Sequence, residues 1–545
     1  MDYTVCVNVG LDLLPALRRY WGYDSFRPLQ ERIVRSLMQK HDTCVVIPTG
    51  GGKSLCYQLP AALLSDQTVI VVSPLIALMQ DQVAQLTQMG IPAALLNSSV
   101  TGERQGNIMR EAKNGQYRLL YLSPERLARA DTVEWLHKVP VSFFVIDEAH
   151  CISEWGHEFR PEYRQLNSLR ANFRERPIAA FTASATQRVR HDIIDQLQLR
   201  DPHKYIASFH RPNLRYIIKE CTGREQPSLL LKALRAYAEQ NLIVYAPTIN
   251  KVEETVDFLE EHGISAIAYH GKMNSETRRE NQERWMCDEV RVLVGTVAFG
   301  LGINKAAVRA VIHLSLPKSI EQFYQEAGRA GRDGLPADCV VLWQKRDVGL
   351  LTYFVEQLTD PAEKERAWKR YHIIRDFVES KLCRHRQICS HFGENSKFEK
   401  CDACDACGFA LDWLADTIVA KQPVPHIPTA SFEHSESFAK PALSDVNPEL
   451  REYLRQWRRA TANAQGVPAY VVMHDTSLDE LCRKRPRSVS QLLDVSGFGE
   501  RKSEMYGHKI LDALDRFQNG ARASAESEIK NKSRRRKKVR KAAGR

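Results

Sequence analysis

The stretch TCVVIPTGGGKSLCYQL, residues 43–59, decides the fold. Five residues of strand-forming character run into Pro48, three glycines follow at 50–52, and an apolar helical segment begins at Leu55. A short apolar run of this kind reads as a strand buried on both faces. Consecutive glycines let the backbone wrap closely around an anion. The N-terminus of the following helix offers unpaired N–H groups to the same anion. Lys53 is then placed to pair with the β- and γ-phosphates of a nucleotide, and Ser54 to hold Mg²⁺. The stretch departs from the strict eight-residue phosphate-loop pattern, because Ile47 stands where its first glycine belongs.

The strand–loop–helix rhythm repeats outward from this point. Apolar runs recur at 69–74, 119–124, 143–148 and 178–184, and again at 242–247, 265–271, 290–296, 309–316 and 338–343. Val/Ile/Leu runs alternating with helical segments predict an α/β fold with two parallel sheets, each covered on both faces. Ligands bind in the loops after such strands. In the first half those loops read TGGGKS, SP, SP, DEAH and TASAT. Apart from the likeness of the two halves there is no short-period repeat.

With 545 residues, 43% hydrophobic and 26% charged, the composition is that of a globular protein too long for one core, and roughly three to four domains are expected. No apolar run of about 18 residues predicts a membrane span. The opening MDYTVCVNVG lacks the basic start and apolar core of a secretory signal. Thirteen cysteines, four of them clustered late, fit a reducing cytoplasm and one metal site better than a disulfide framework. The net charge of +11 is local: residues 530–545, KNKSRRRKKVRKAAGR, hold ten Lys or Arg and no acid, so the rest of the chain carries +1. Such a tail is expected to be disordered, and either attracts nucleic acid by counterion release or serves solubility alone.

Three further motifs carry chemistry. DEAH, residues 147–150, ends the strand at 143–148. Asp147 suits a Mg²⁺ partner acting through water, and Glu148 suits the base that orients an attacking water. Directly after it, CISEWGHEFRPEY (151–163) crowds Trp155, His157, Phe159, Arg160 and Tyr163 together. These offer stacking faces for unstacked bases and a cation for phosphate; the bland alternative is that the rings fill the gap between two sheets. In QEAGRAGRDG (325–334), Arg329 and Arg332 are three apart and share a helix face. Arginines brought from a second domain stabilise charge on a transferring phosphate.

This constellation resembles the superfamily 2 helicases. At FRPLQ (26–30) and CISEWGHEFRPEY the resemblance narrows to the RecQ family of DNA helicases. SPLIALMQDQV (73–83), YLSPERL (121–127), TASAT (182–186), AYHGKM (268–273) and VGTVAFGLGINK (294–305) match as well, so the likeness covers roughly residues 10–410. It implies two RecA-like motor domains with Mg-ATP in the cleft between them, moving 3′→5′ on single-stranded DNA. By the same resemblance Tyr23 and Arg27 flank adenine, Gln30 reads its edge, and Thr49, Gly50, Gly51, Gly52, Lys53 and Ser54 hold the phosphates. Gln325 joins Lys53, Asp147, Glu148, Arg329 and Arg332 in catalysis. Trp155, His157, Phe159 and Arg160 contact DNA and couple it to hydrolysis. The implied partners are ATP, single-stranded, 3′-tailed or forked DNA and a single-stranded DNA-binding protein, in a cytoplasmic, nucleoid-associated setting of repair, recombination and replication. An RNA helicase, a translocase that unwinds weakly and a DNA-binding scaffold with a dead nucleotide site are the alternatives. The aromatic loop and the cysteine cluster argue against the first; intact Lys53, Glu148 and Arg329 argue against the last.

CRHRQICSHFGENSKFEKCDACDAC (383–407) is the metal signal. Four thiolates suit tetrahedral Zn²⁺; Cys389, His385 and His391 are spare candidates, and an iron–sulfur cluster is a further reading. The RecQ resemblance selects Cys383, Cys401, Cys404 and Cys407. Residues 488–511 resemble an HRDC domain, where GFGERK could offer backbone N–H groups and Lys502 to phosphate. The expected organisation is motor domain 1 at 1–207, motor domain 2 at 208–348, a zinc-binding helical module at 349–410, a linker at 411–446, a small all-α HRDC-like domain at 447–519 and a basic tail at 520–545. The 39 residues of 408–446 are too few for the winged-helix domain that many RecQ proteins carry there, so that domain is expected to be absent.

Overall fold

The computed structural model describes residues 12–97, 100–156, 158–297, 305–414, 446–465 and 467–523. Among these, two parallel sheets form the body. The first contains β1 (Thr43–Val46), β2 (Thr68–Val72), β3 (Ala93–Leu96), β4 (Leu119–Leu122), β5 (Val141–Ile146), β6 (Ile178–Thr182) and β7 (His203–Ile206), in the order β3-β4-β2-β5-β6-β1-β7. The second contains β8 (Leu214–Glu220), β9 (Asn241–Tyr245), β10 (Ala266–Tyr269), β11 (Val292–Gly295), β12 (Val308–His313) and β13 (Ala337–Trp343), in the order β10-β11-β9-β12-β13-β8. Every residue of β2, β5 and β6 is buried, which is why the inner strands read as continuous apolar runs. The order sets β5, β6 and β1 side by side. The loops that leave them, DEAH, TASAT and the phosphate loop, therefore meet at one end of the sheet.

Strands β3, β7 and β8 were absent from the expected pattern, and all three are sheet edges. An edge strand has one covered flank, so its sequence need not be apolar throughout. HKYI in β7 is mostly exposed, and LRYIIKE in β8 mixes charges into its run.

Two expected boundaries need correction. The helix Lys345–Glu356 runs across the boundary drawn at 348/349, so the zinc-binding module starts at that helix. Residues 411–414, expected in the linker, are packed instead: Leu411 is buried, and Phe409, Trp413 and Leu414 pack with it on the core of the second sheet. Residues 415–445 lie outside the described residues, as do His157, residues 1–11 and the tail from 524 on; the expectations of a linker, an absent winged helix and a disordered basic tail fall there.

The cysteine-bearing segment closes the β8 edge. Tyr216 N–H donates to Ala403 O at 3.1 Å and Ile218 N–H to Asp405 Oδ2 at 3.4 Å. The C-terminal helices, Pro448–Gln465 to Glu500–Gln518, form their own core around Leu454, Leu481 and Ile510. This domain docks on both sheet domains. Tyr506 Oη donates to Gln88 at 2.5 Å and Tyr470 Oη to Asp81, both on the helix Ile76–Gln88 of the first. Arg459 pairs with Glu289 at 2.5 Å, and Arg455 donates to Cys287 O and Asp288 O at 3.2 and 3.1 Å on the second.

Candidate nucleotide cleft, aromatic loop and metal centre

The phosphate loop is shaped by its glycines. Gly50 and Gly52 take φ of 84° and 79°, in the left-handed region where a side chain is strained. A Cβ on Gly51 would lie 2.3 Å from Ile47 Cγ2. Lys53 and Ser54 open the helix Lys53–Leu63 directly after. Gln30, almost fully buried, donates from Nε2 to Gly51 O and Gly52 O at 3.3 and 3.2 Å and accepts from Arg27 N–H at 2.9 Å. Arg27 Nη1 donates to Gly50 O, and Tyr23 is exposed. FRPLQ therefore braces the phosphate loop from behind.

Asp147 leaves β5 with its N–H on Val72 O at 2.9 Å, and its Oδ1 accepts from Glu148 N–H at 3.0 Å. Burial, and then the Glu148 charge, push its carboxyl up to about 6. Glu148 sits at φ 48°, an unusual conformation for a non-glycine residue. His150, fully buried, stands 3.4 Å from Glu148 Oε2 and 3.8 Å from Glu158, with its Nδ1 3.0 Å from Thr182 Oγ1.

The second domain answers across the cleft. Gln325 Nε2 donates to Ser184 Oγ at 2.9 Å, and Thr49 Oγ1 donates to Gly328 O at 3.2 Å. The side chain of Arg332 packs over Gly50. Arg329 is buried and hydrogen-bonded to the Tyr245 hydroxyl. Arg211 donates to Thr49 O at 3.1 Å and to Ala330 O and Gly331 O at 3.3 and 3.2 Å. Burial, with the Arg329 and Arg211 charges beside it, pushes the Arg332 guanidinium down to about 9. Three guanidiniums at a glycine loop with a free helix N-terminus make a site that gains most from a polyphosphate.

The aromatic loop is folded against protein. Trp155 is half-buried, with the Arg188 guanidinium carbon 3.1 Å from its ring centre. The Phe159 ring lies under Arg164 at 5.8 Å, and Arg160 donates to Pro74 O at 3.4 Å.

The sulfur atoms of Cys383, Cys401, Cys404 and Cys407 all lie within 4.8 Å of one another, with Cys401 and Cys407 3.9 Å apart. A tetrahedral zinc–thiolate site, with bonds of about 2.3 Å, needs sulfurs about 3.8 Å apart. Backbone N–H groups of Cys401, Ala403 and Arg384 point at three of the sulfurs, each at 3.4 Å, as suits thiolates. Arg384 grips Asp405 with two 2.9 Å bonds and ties both halves of the knuckle together. The spare candidates are engaged elsewhere: His385 lies 2.9 Å from Leu214 O, His391 2.7 Å from Glu321, and Cys389 is buried in the apolar core.

Comparison with known proteins agrees piece by piece. Residues 27–193 match the DEAD/DEAH box helicase family, 225–334 the helicase conserved C-terminal domain, 345–408 the RecQ zinc-binding family and 447–514 the HRDC domain. The ATP-dependent DNA helicase RecQ of Haemophilus influenzae is 34% identical, over 91% of this chain and 95% of its own. The chain belongs to the RecQ helicase family. The Bacillus subtilis RecQ is 32% identical over 92% of this chain and 98% of its own. Among solved structures, the DUF1998 helicase MrfA bound to DNA and AMPPNP aligns with a TM-score of 0.52 at 18% identity, over 70% of this chain and 53% of that one. Dbp5 of S. cerevisiae bound to RNA and ADP BeF3 aligns at 0.51 and 15% identity, over 68% and 98%. At those identities the likeness is one of fold.

Within this RecQ chain, sequence reasoning missed Arg211, Ser184 and the His150–Thr182 pair. Each acts through a partner remote in sequence, and only TASAT and DEAH carried a signal for the latter two. Lys502 requires correction: it is buried and donates to Val471 O at 3.2 Å, and burial pushes its ammonium down to about 8. The GFGERK turn faces the first motor domain, where a Cβ on Gly499 would lie 2.3 Å from Arg19 O. It is not open to a phosphate. Among the described residues no helix is long and apolar enough to cross a membrane.

Proposed function

We propose that this RecQ chain hydrolyses Mg-ATP in the cleft and uses the energy to move 3′→5′ along single-stranded DNA and to open duplex ahead of it. The observation that carries the reading is the pairing across the cleft: Gln325 on Ser184 and Arg332 over Gly50 bind the second domain to the phosphate loop and TASAT of the first. A reaction at that seam changes how the two domains are held, as a stepping motor needs.

In this reading Lys53 and the loop of Thr49, Gly50, Gly51 and Gly52 cradle the β- and γ-phosphates. Ser54 and Asp147 are the residues to hold Mg²⁺, whose charge neutralises the phosphate oxygens. Glu148 orients the attacking water, with His150 and Thr182 fixing its position. Arg329 and Arg332, supported by Arg211, take the charge that spreads over the transferring phosphoryl group. Tyr23 and Arg27 flank adenine and Gln30 reads its edge; the Gln30 bonds to Gly51 and Gly52 would then report an occupied base pocket to the phosphate loop. Trp155, Phe159 and Arg160 meet the DNA strand. The cysteine centre, with one Zn²⁺, is structural, since its four positions are all protein thiolates. The protein partner is one that coats single-stranded DNA, in the cytoplasm at the nucleoid.

The fold neighbours include an RNA-bound protein, which makes RNA the second reading. ATP hydrolysis measured with single-stranded DNA, and then with increasing single-stranded RNA of the same sequence, separates them. DNA is expected to stimulate and RNA to compete poorly. Equal stimulation by both would overturn the DNA assignment.

A further inference from the structure

Trp155 is contacted by arginines of two different domains. Arg188, near the start of the helix Gln187–Gln196, lies on the ring, and Arg366, on the helix Pro361–Glu379 of the zinc-binding module, has its guanidinium carbon 5.6 Å from the ring centre. Arg366 is mostly buried and also pairs with Glu154, the residue before Trp155, at 3.5 Å. Its direction is fixed by acids on or beside its own helix, Glu363 at 3.0 Å and Asp360 at 3.8 Å. Glu154 is shared with Arg164 at 2.8 Å. The loop turns tightly just beyond: a Cβ on Gly156 would meet His150 O at 2.7 Å. Glu158, two residues further, stands beside His150, which stands beside Glu148.

A guanidinium on an indole face excludes a base from that face, because both seek the same contact distance. We infer that Arg366 is a positioning residue: with Arg188 it clamps Trp155 in the DNA-free arrangement, and single-stranded DNA engages the loop by displacing the clamp. A base takes the ring, and the released guanidiniums turn to the backbone phosphates. The zinc-binding module thereby sets how much DNA the motor needs before movement of the loop reaches Glu148 through Glu158 and His150. This rests on the reading of Trp155 as a DNA-contacting residue.

The test is ATP hydrolysis by the full chain, titrated with a single-stranded oligonucleotide, for Arg366→Ala, Arg366→Lys, Glu154→Gln and Trp155→Ala. Loosening the clamp with Arg366→Ala is expected to raise turnover without DNA and to lower the half-stimulating DNA concentration about fivefold, the low end of usual coupling between sites. Arg366→Lys restores the parent behaviour in part, since lysine keeps the charge. Glu154→Gln shifts the same two quantities in the same direction, and carries the test should Arg366→Ala lose zinc or unfold. If Arg366→Ala and Glu154→Gln leave the DNA titration unmoved, or need more DNA, while Trp155→Ala loses stimulation, the clamp is wrong and the DNA-contact reading stands. If Trp155→Ala keeps full stimulation, the underlying reading fails too.

Discussion

At Arg332 the cleft concentrates its electrostatics. A guanidinium ordinarily stays charged across the whole working pH range, yet here burial and two like neighbours press against that charge. In the proposed function a triphosphate would relieve that pressure, and a developing metaphosphate-like charge would relieve it further, the condition for catalysis rather than mere binding. Arg329 beside it is buried and held by Tyr245. On this account Arg329→Ala should lower DNA-stimulated turnover by about 10³-fold or more while a fluorescent ATP analogue still binds. A loss below about tenfold would remove Arg329 from the transition state. Lys53, Asp147 and Glu148 were legible from the local backbone, a glycine loop and a strand end; Arg329 and Arg332 were expected on one helix face, but the helix Ile320–Ala327 ends before them and both lie in the turn that follows. Arg211 was not legible, because its partner Thr49 O lies 162 residues away in the first motor domain. Gln325 was legible only through the family likeness, and its partner Ser184 lies 141 residues away.

The ten expected strands all found a place in the sheets, and the three that were missed are β3, β7 and β8. Apolar continuity reports burial on both faces, so it finds interior strands and passes over edges whose neighbours are solvent or another module. Edge β8 shows what such a strand needs. Its N–H groups at Tyr216 and Ile218 are taken by Ala403 and Asp405 of the cysteine knuckle. A metal held by the knuckle would thus support a sheet edge of the second motor domain as well as its own module. Zinc analysis should return about one equivalent per chain, in keeping with a closed four-thiolate site. Cys404→Ser, or stripping with a chelator, should lower the Tm of the second motor domain by several degrees and expose the β8 amides to hydrogen exchange. A metal-free protein with the parent Tm and unchanged β8 protection would mean that the knuckle holds without its ion.

Over the whole molecule, the C-terminal domain is fastened to both motor domains, and the burial of Asp81 predicts that one fastening depends on pH. Asp81, on which the Tyr470 hydroxyl donates, is pushed up to about 6 by burial. Undocked, it would titrate near 3.9. Docking therefore takes up a proton: it is strongest below about pH 4, weakens as pH rises through 6, and is level above. On the other side, Asp288 meets Lys305 and Arg451; burial works against its charge, but those cations hold it down to about 2, so it stays ionised throughout this window. Hydrogen exchange at the helix Ala469–Val472, corrected for intrinsic rates, should be slower at pH 5 than at pH 7, and Asp81→Asn should remove the difference. A parent protein equally protected at both would show that Asp81 does not control the contact.

The central claim, a motor that opens DNA in one direction, is tested by ATP-dependent strand separation on two duplexes alike except that one carries a 3′ single-stranded tail and the other a 5′ tail. The account predicts opening of the 3′-tailed duplex, abolished by Lys53→Ala, with the 5′-tailed duplex left intact. Opening of the 5′-tailed duplex alone, or strong DNA-stimulated hydrolysis with neither duplex opened, would contradict it.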